Sequence, residues 1–208
     1  MQESIENRRP IKSRSAKWAE FSAQKLVLWG ITPNAVSMIS IFFAVIGAGI
    51  LMISKSPIAL ILVVVMIQAR LICNLLDGMV AIEGGKKTPV GAMYNEIPDR
   101  FADSFLIIAL GYAIGIEWLG WAGALMAMFT AYIRLLGGSL GLAQDFRGPM
   151  AKQHRMAVMS IACIAGAVEG LMFSTNYALV IAAWIIFLGS FITVFTRMSA
   201  IANALRVK

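Results

Sequence analysis

The chain has 208 residues, of which 59% are hydrophobic and only 14% charged, with a mean hydropathy of +0.78. Soluble domains carry about 25% charged residues, and a core of this size could not hide so much apolar surface, so a soluble fold is excluded in favour of bilayer-spanning helices. The net charge of +7 is concentrated in the N-terminal segment and a few loops, which suits anionic lipid headgroups.

Residues 1–30 are polar and basic, with Arg8, Arg9, Lys12, Arg14, Lys17 and Lys25 interleaved with Trp18, Phe21, Leu26 and Trp29 at near-helical spacing. This pattern predicts an amphipathic helix lying in the membrane interface. A nucleic-acid arm is the rival reading, set aside because tryptophans and a membrane span adjoin the charges. The charged character of the segment leads to the expectation of no cleavable signal peptide.

Six transmembrane helices are predicted at about 34–54, 58–82, 93–115, 118–140, 153–173 and 177–200, each near the ~20 residues needed to cross the hydrocarbon. The expected architecture is therefore an all-α integral membrane protein, with a juxtamembrane segment over 1–30 and a membrane domain over 31–208. Short connections imply antiparallel neighbours, except across 141–152. Lys86, Lys87, Arg147, Lys152, Arg155, Arg206 and Lys208 fall on the side of the basic N-terminus, whereas the opposite loops carry only Lys55 and the acidic Glu117. The positive-inside rule then places both termini in the cytoplasm. Cys73 and Cys163 sit within apolar runs and have neither zinc-site nor disulfide-framework spacing.

Ionisable groups inside spans are costly and usually mark function. They gather in the second span (Arg70, Asn74, Asp77) and at the start of the third (Asn95, Glu96, Asp99, Arg100, Asp103). Helical spacing puts Asn74 with Asp77 on one face, and Asn95, Asp99 and Asp103 on another. With the short 83–92 connection making these helices neighbours, Asp77, Asp99 and Asp103 are expected to converge. Such carboxylates repel unless a cation joins them, and oxygen ligands without His or Cys favour Mg²⁺, Mn²⁺ or Ca²⁺ over zinc. The plainer alternative is structural pairing with Arg70, Arg100 and Arg134.

The stretch Asn74-Leu-Leu-Asp77-Gly78-Met-Val-Ala81, followed by Gly91 and Asp99-Arg-Phe-Ala-Asp103, resembles the signature of the CDP-alcohol phosphotransferases. That signature reads D-x-x-D-G-x-x-A-R, about eight residues, then G-x-x-x-D-x-x-x-D. Thr32-Pro33-Asn34 also resembles a family segment, and the resemblance runs from about residue 31 onward. Asn74 stands where the first aspartate is usual, and Ile82 where the arginine is usual. The second half fits in two registers: without a gap, Gly91 leads to Asn95 and Asp99; with one extra helical turn it leads to Asp99 and Asp103. The gapped register is preferred because it keeps both carboxylates and sets Pro98 near a helix start.

The resemblance implies a metal-dependent enzyme of phospholipid biosynthesis. An alcohol attacks the β-phosphorus of a CDP-linked donor such as CDP-diacylglycerol, and CMP leaves. It implies two Mg²⁺ or Mn²⁺ ions held by Asp77, Asp99 and Asp103, with Asn74 as a weakened ligand and Glu96 supplying the missing charge. Asp103 would be the catalytic base. Thr32, Pro33, Asn34, Gly78 and Ala81 would surround the nucleotide, although Thr32 or Asn34 alone reads as a helix cap. Apart from the resemblance, the clustered charges of Arg134, Lys152 and Arg155 suit a small alcohol or phosphoalcohol acceptor, with a positive-inside anchor as the plainer reading of the basic cluster. Further expectations are a homodimer and a bacterial inner-membrane location with a cytoplasmic active site. A transporter or channel would also carry intramembrane acids, and a degenerate relative could bind nucleotide or lipid without turnover.

Overall fold

A computed structural model describes residues 17–85, 90–173 and 175–206. Arg8, Arg9, Lys12, Arg14, Lys86, Lys87 and Lys208, on which part of the expected charge bias rests, lie outside the described residues. The described residues form seven helices: α1 (Lys17–Leu28), α2 (Pro33–Ile53), α3 (Pro57–Glu83), α4 (Gly91–Ala113), α5 (Glu117–Ser139), α6 (Lys152–Met172) and α7 (Tyr177–Arg206). Two starts follow directly from local sequence. Thr32 and Ser56 cap α2 and α3 by accepting the amides of Ala35 and Ala59, and each is followed by a proline at the first helical position. Proline is suited there because its missing N–H would have no intrahelical partner anyway. The last helix runs six residues past its predicted end, giving 30 residues, or about 45 Å of helix.

Five helices (α2, α3, α5, α6 and α7) are long and apolar enough to cross a membrane. This makes the chain an all-α integral membrane protein. The fourth helix does not join them on composition, because Asn95, Glu96, Asp99, Arg100 and Asp103 crowd its first half. Pro98 lies well inside it rather than near its start, and so removes one intrahelical hydrogen bond.

The long helices close into a ring in the order α2, α3, α6, α7, α5, α4. This corrects one expectation. Despite their short connection, α3 and α4 touch only sparsely, because α2 lies between them and packs on both. The polar faces of α3 and α4 therefore meet across the interior of the ring, not along a shared seam. The apolar core fills the other half of the bundle, with Leu51, Leu60, Ile67, Leu106, Met159, Leu179 and Ile186 fully buried. The first helix lies across the end of α3. Ala19 and Ala23 face Leu75, Leu76, Met79 and Val80, while Trp18, Phe21 and Trp29 stay at least half exposed.

The tightest helix crossing is between α4 and α5. A Cβ on Gly120 would lie 2.9 Å from the Gly111 Cα and from the Ile108 carbonyl oxygen. Neither is a flexible group that can yield. Alanine at Gly120 should therefore lower the thermal midpoint in detergent by the equivalent of about 1–3 kcal/mol, more than the gain in helix propensity. Alanine at Gly49, where no atom lies within 4 Å of the added carbon, should leave the midpoint unchanged or slightly raised. Equal midpoints for the two variants would show that the crossing is not close-packed.

Candidate active site

The polar residues gather at one end of the ring because successive helices alternate in direction. The late turns of α3, α5 and α7 and the first turns of α2, α4 and α6 share that end. There they surround a cavity of about 540 Å³. One wall carries Asn74, Asp77 and Gly78 from α3 with Asn95, Glu96 and Asp99 from α4. The other carries Arg134, Lys152, Arg155 and Arg197, with Gln144 and Phe146 from the α5–α6 loop, and Trp18 of α1 also lines it.

Asp77 is buried, and its Oδ2 accepts a 2.6 Å hydrogen bond from Ser37 of α2. Its Oδ1 has no hydrogen-bond partner. Asp99 is arranged similarly: its Oδ2 pairs with the Lys152 ammonium, while Oδ1 makes no hydrogen bond and lies 3.7 Å from the Arg70 guanidinium. The two carboxylates are close enough to interact electrostatically. Leaving a buried carboxylate oxygen unpartnered is expensive, so both open oxygens fit a hard divalent cation. The amide oxygen of Asn74 is a third donor of the same chemical type at this wall.

Asp103 is placed differently from the expectation. It is 2% exposed and does not line the cavity. Its Oδ1 accepts from Arg70 at 2.9 Å, and its Oδ2 accepts from Arg155 at 2.6 and 3.2 Å. The anticipated convergence of Asp77, Asp99 and Asp103 is absent, and no group of three acidic, His or Cys side chains suited to a metal occurs among the described residues. The cause is competition: two guanidiniums draw Asp103 beneath the cavity floor. Glu96 likewise supplies no open oxygen, because Arg100 and Arg134 bind it at 2.5 and 2.7 Å. The plainer pairing with arginines thus describes Asp103 and Glu96, and the cavity describes Asp77 and Asp99.

Of the five residues expected around a nucleotide, only Gly78 lines the cavity. Thr32 serves as the cap of α2, Pro33 and Asn34 begin that helix, and Ala81 lies one turn beyond the cavity on α3. Arg134, Lys152 and Arg155, expected to bind the acceptor, all line the cavity. Arg155 also donates to the Met150 carbonyl at 2.9 Å, tying the α5–α6 loop to the site. That loop is pinned to α7 as well. The Met150 amide donates to Thr193 Oγ1 at 2.9 Å, and Gly148, at φ 111°, passes so close to Thr193 that a Cβ would meet its Cγ2 at 2.5 Å. Beside it, burial raises the Asp145 pKa, but hydrogen bonds from Arg147 outweigh this and hold its carboxyl below the usual range.

Sequence reasoning missed Ser37, Arg197, Asn95 and Trp18. Arg197 is buried and donates to the carbonyls of Arg147 and Thr130 at 2.8 and 2.6 Å. Its signal was an arginine interrupting an otherwise apolar span. Asn95 was available through the ungapped register, whose four positions (Asn74, Asp77, Asn95 and Asp99) all line the cavity. Trp18 reads as a membrane anchor, and nothing local reveals that α1 folds back over α3.

No family model matches the chain. It is similar to archaetidylinositol phosphate synthase of Aeropyrum pernix, with 33% identity over 152 residues covering 73% of each chain. It is also similar to phosphatidylinositol phosphate synthase of Mycolicibacterium smegmatis, with 28% identity over 183 residues, 84% of this chain and 79% of that one. In fold it resembles phosphatidylinositol phosphate synthase of Mycobacterium tuberculosis. The structure of that protein with CDP-DAG bound superposes with a TM-score of 0.75 at 22% identity, covering 89% of this chain and 94% of the other. Its structure with manganese and citrate gives a TM-score of 0.74, covering 88% of each chain.

Asp103 is the residue on which the two registers differ most, and its surroundings predict a structural role. Replacing it by asparagine leaves Arg155 buried without a counter-charge and Arg70 with only Asp99, 3.7 Å away, which should cost about 3–5 kcal/mol. The Asp103→Asn protein should show a clearly lowered thermal midpoint in detergent. A variant as stable as the parent but inactive would instead return Asp103 to the role of base.

Proposed function

Since the chain belongs to the CDP-alcohol phosphotransferase family and is an enzyme of that class, we propose that it moves a phosphatidyl-type group from a CDP-linked lipid to a phosphorylated alcohol, releasing CMP. The observation that carries this reading is the two-walled cavity: carboxylates with open oxygens on one side and a cluster of guanidiniums and an ammonium on the other. Both named synthase relatives make inositol phosphate lipids. The cationic wall, with Arg134, Arg155 and Arg197, suits the phosphate of such an acceptor.

Asp77 and Asp99 would hold the divalent cation, Mg²⁺ or Mn²⁺, with Asn74 beside them. A manganese-bound structure of the similar mycobacterial synthase supports this choice. When bound, the cation would offset the charge of the donor diphosphate and of the leaving phosphate oxygen. The protein's own residues do the rest. Arg134, Arg155 and Arg197 orient the acceptor. Asp99, which lines the cavity, accepts the hydroxyl proton as the acceptor oxygen bonds to the β-phosphorus and the bond to CMP breaks. Asp99 thus takes the role that Asp103 is too deeply paired to fill. Glu96 acts by holding Arg134 and Arg100 in place. Gly78 leaves room for the nucleotide along α3.

The proposed setting is a six-span protein with α4 as the sixth, polar span, both termini in the cytoplasm of a bacterial inner membrane, and the cavity opening to that side. The division into a segment over 1–30 and a transferase domain over 31–208 belongs to the same reading. Exposed Trp18, Phe21 and Trp29 give α1 a face suited to the headgroup region.

Purified protein should release CMP from CDP-diacylglycerol when given inositol phosphate and Mg²⁺ or Mn²⁺, and release should stop in excess chelator. Asp99→Asn should lower turnover by about 10²–10⁴-fold, as loss of a general base does, in protein that remains folded. Full turnover in chelator, or an Asp99→Asn enzyme with wild-type rate, would overturn the proposal. Absence of CMP release with any CDP-linked donor would favour a binding protein or transporter.

A further inference from the structure

The cavity holds fewer open carboxylates than a two-ion site needs. Of the acids near it, Glu96 is bound by two arginines and Asp103 lies beneath the floor between two more. That leaves Asp77 and Asp99, only 3% and 8% exposed, each with one oxygen engaged by the protein and one without a hydrogen-bond partner. The remaining members of the wall, Asn74 and Asn95, are neutral and can offer only an amide oxygen.

The charge inventory points the same way. Arg100, Arg134, Lys152, Arg155 and Arg197 line the cavity against Asp77, Glu96 and Asp99, an excess of two positive charges. One divalent ion raises the excess to four. The donor diphosphate and a phosphorylated acceptor bring about two negative charges each at neutral pH, so one ion brings the loaded site close to neutrality. A second ion would leave two charges unbalanced in a low-dielectric interior, where imbalance is costly. Lys152 already sets a cation against Asp99 Oδ2, and its ammonium interacts with Asp77 as well.

We infer that this site takes one divalent cation per chain, held by Asp77 and Asp99, and that the Lys152 ammonium supplies the positive charge a second ion would otherwise bring. The inference rests on the metal-dependent reading above and adds the count and the role of Lys152. The two asparagines and the lysine then form one device: two carboxylates fewer, one divalent ion fewer.

The test is Mn²⁺ binding to chelator-stripped, detergent-purified full-length protein in the presence of CMP. Free Mn²⁺ is followed by electron paramagnetic resonance and total metal by elemental analysis. The expected result is one Mn²⁺ per chain, rising to two in the Asn74→Asp, Asn95→Asp double variant. Lys152→Gln should also admit a second Mn²⁺, and its lost turnover should recover at least tenfold as Mn²⁺ is raised. Two ions bound by the parent, a double variant that stays at one, or a Lys152→Gln loss that metal does not move would each overturn the inference. No bound Mn²⁺, with turnover persisting in chelator, would overturn the metal-dependent reading itself, an outcome distinct from a count of two.

Discussion

The structure depends on the clasp of Asp103 between Arg70 and Arg155. Three charged groups from α3, α4 and α6 are removed from both water and lipid there, and each is costly alone. Together they tie α4, across the ring, to α3 and α6, which are neighbours in it. Arg70 also donates to the Asp99 carbonyl at 3.2 Å, which fixes the turn carrying Asp99. Arg155 reaches the Met150 carbonyl and Thr130, fixing the loop and the helix that carry the cationic wall. The active-site geometry is therefore set from below by this buried ion cluster, of which only Arg155 also lines the cavity.

Above that cluster the site is polarised. Carboxylate and amide groups sit on α3 and α4, and the cations, apart from Arg100 of α4, on α5, α6 and α7. Lys152 crosses from the cationic wall to pair with Asp99. Glu96 and Arg134 make a second such pair, at 2.7 Å between α4 and α5.

Much of this was legible in the sequence. Hydropathy located the long helices to within a residue or two at most ends, because Thr32-Pro33, Ser56-Pro57 and the polar breaks encode their own boundaries. The concentration of ionisable residues in α3 and α4 and the basic cluster after residue 147 identified both walls. Helix order around the ring was not legible, since a short connection does not oblige two helices to pack side by side. That error made three aspartates look equivalent. Spacing along one face cannot distinguish a carboxylate facing a cavity from one a turn deeper, and the distinction depends on arginines 33 and 52 positions away in the chain. Preserving both carboxylates favoured the gapped register; the cavity instead lines up the ungapped one, asparagines included. The folding of α1 over α3, and with it the place of Trp18, depends on small residues Ala19 and Ala23 whose pattern is too weak to read locally.

The central claim is that Asp77 and Asp99 form the metal-facing wall while Asp103 remains a structural anion. A crystal structure of the protein grown with Mn²⁺, with anomalous data collected at the manganese edge, tests it most directly. The account predicts anomalous density against the open oxygens of Asp77 and Asp99, with Asp103 still held by Arg70 and Arg155. Density coordinated by Asp103, with either arginine displaced from it, would contradict the account.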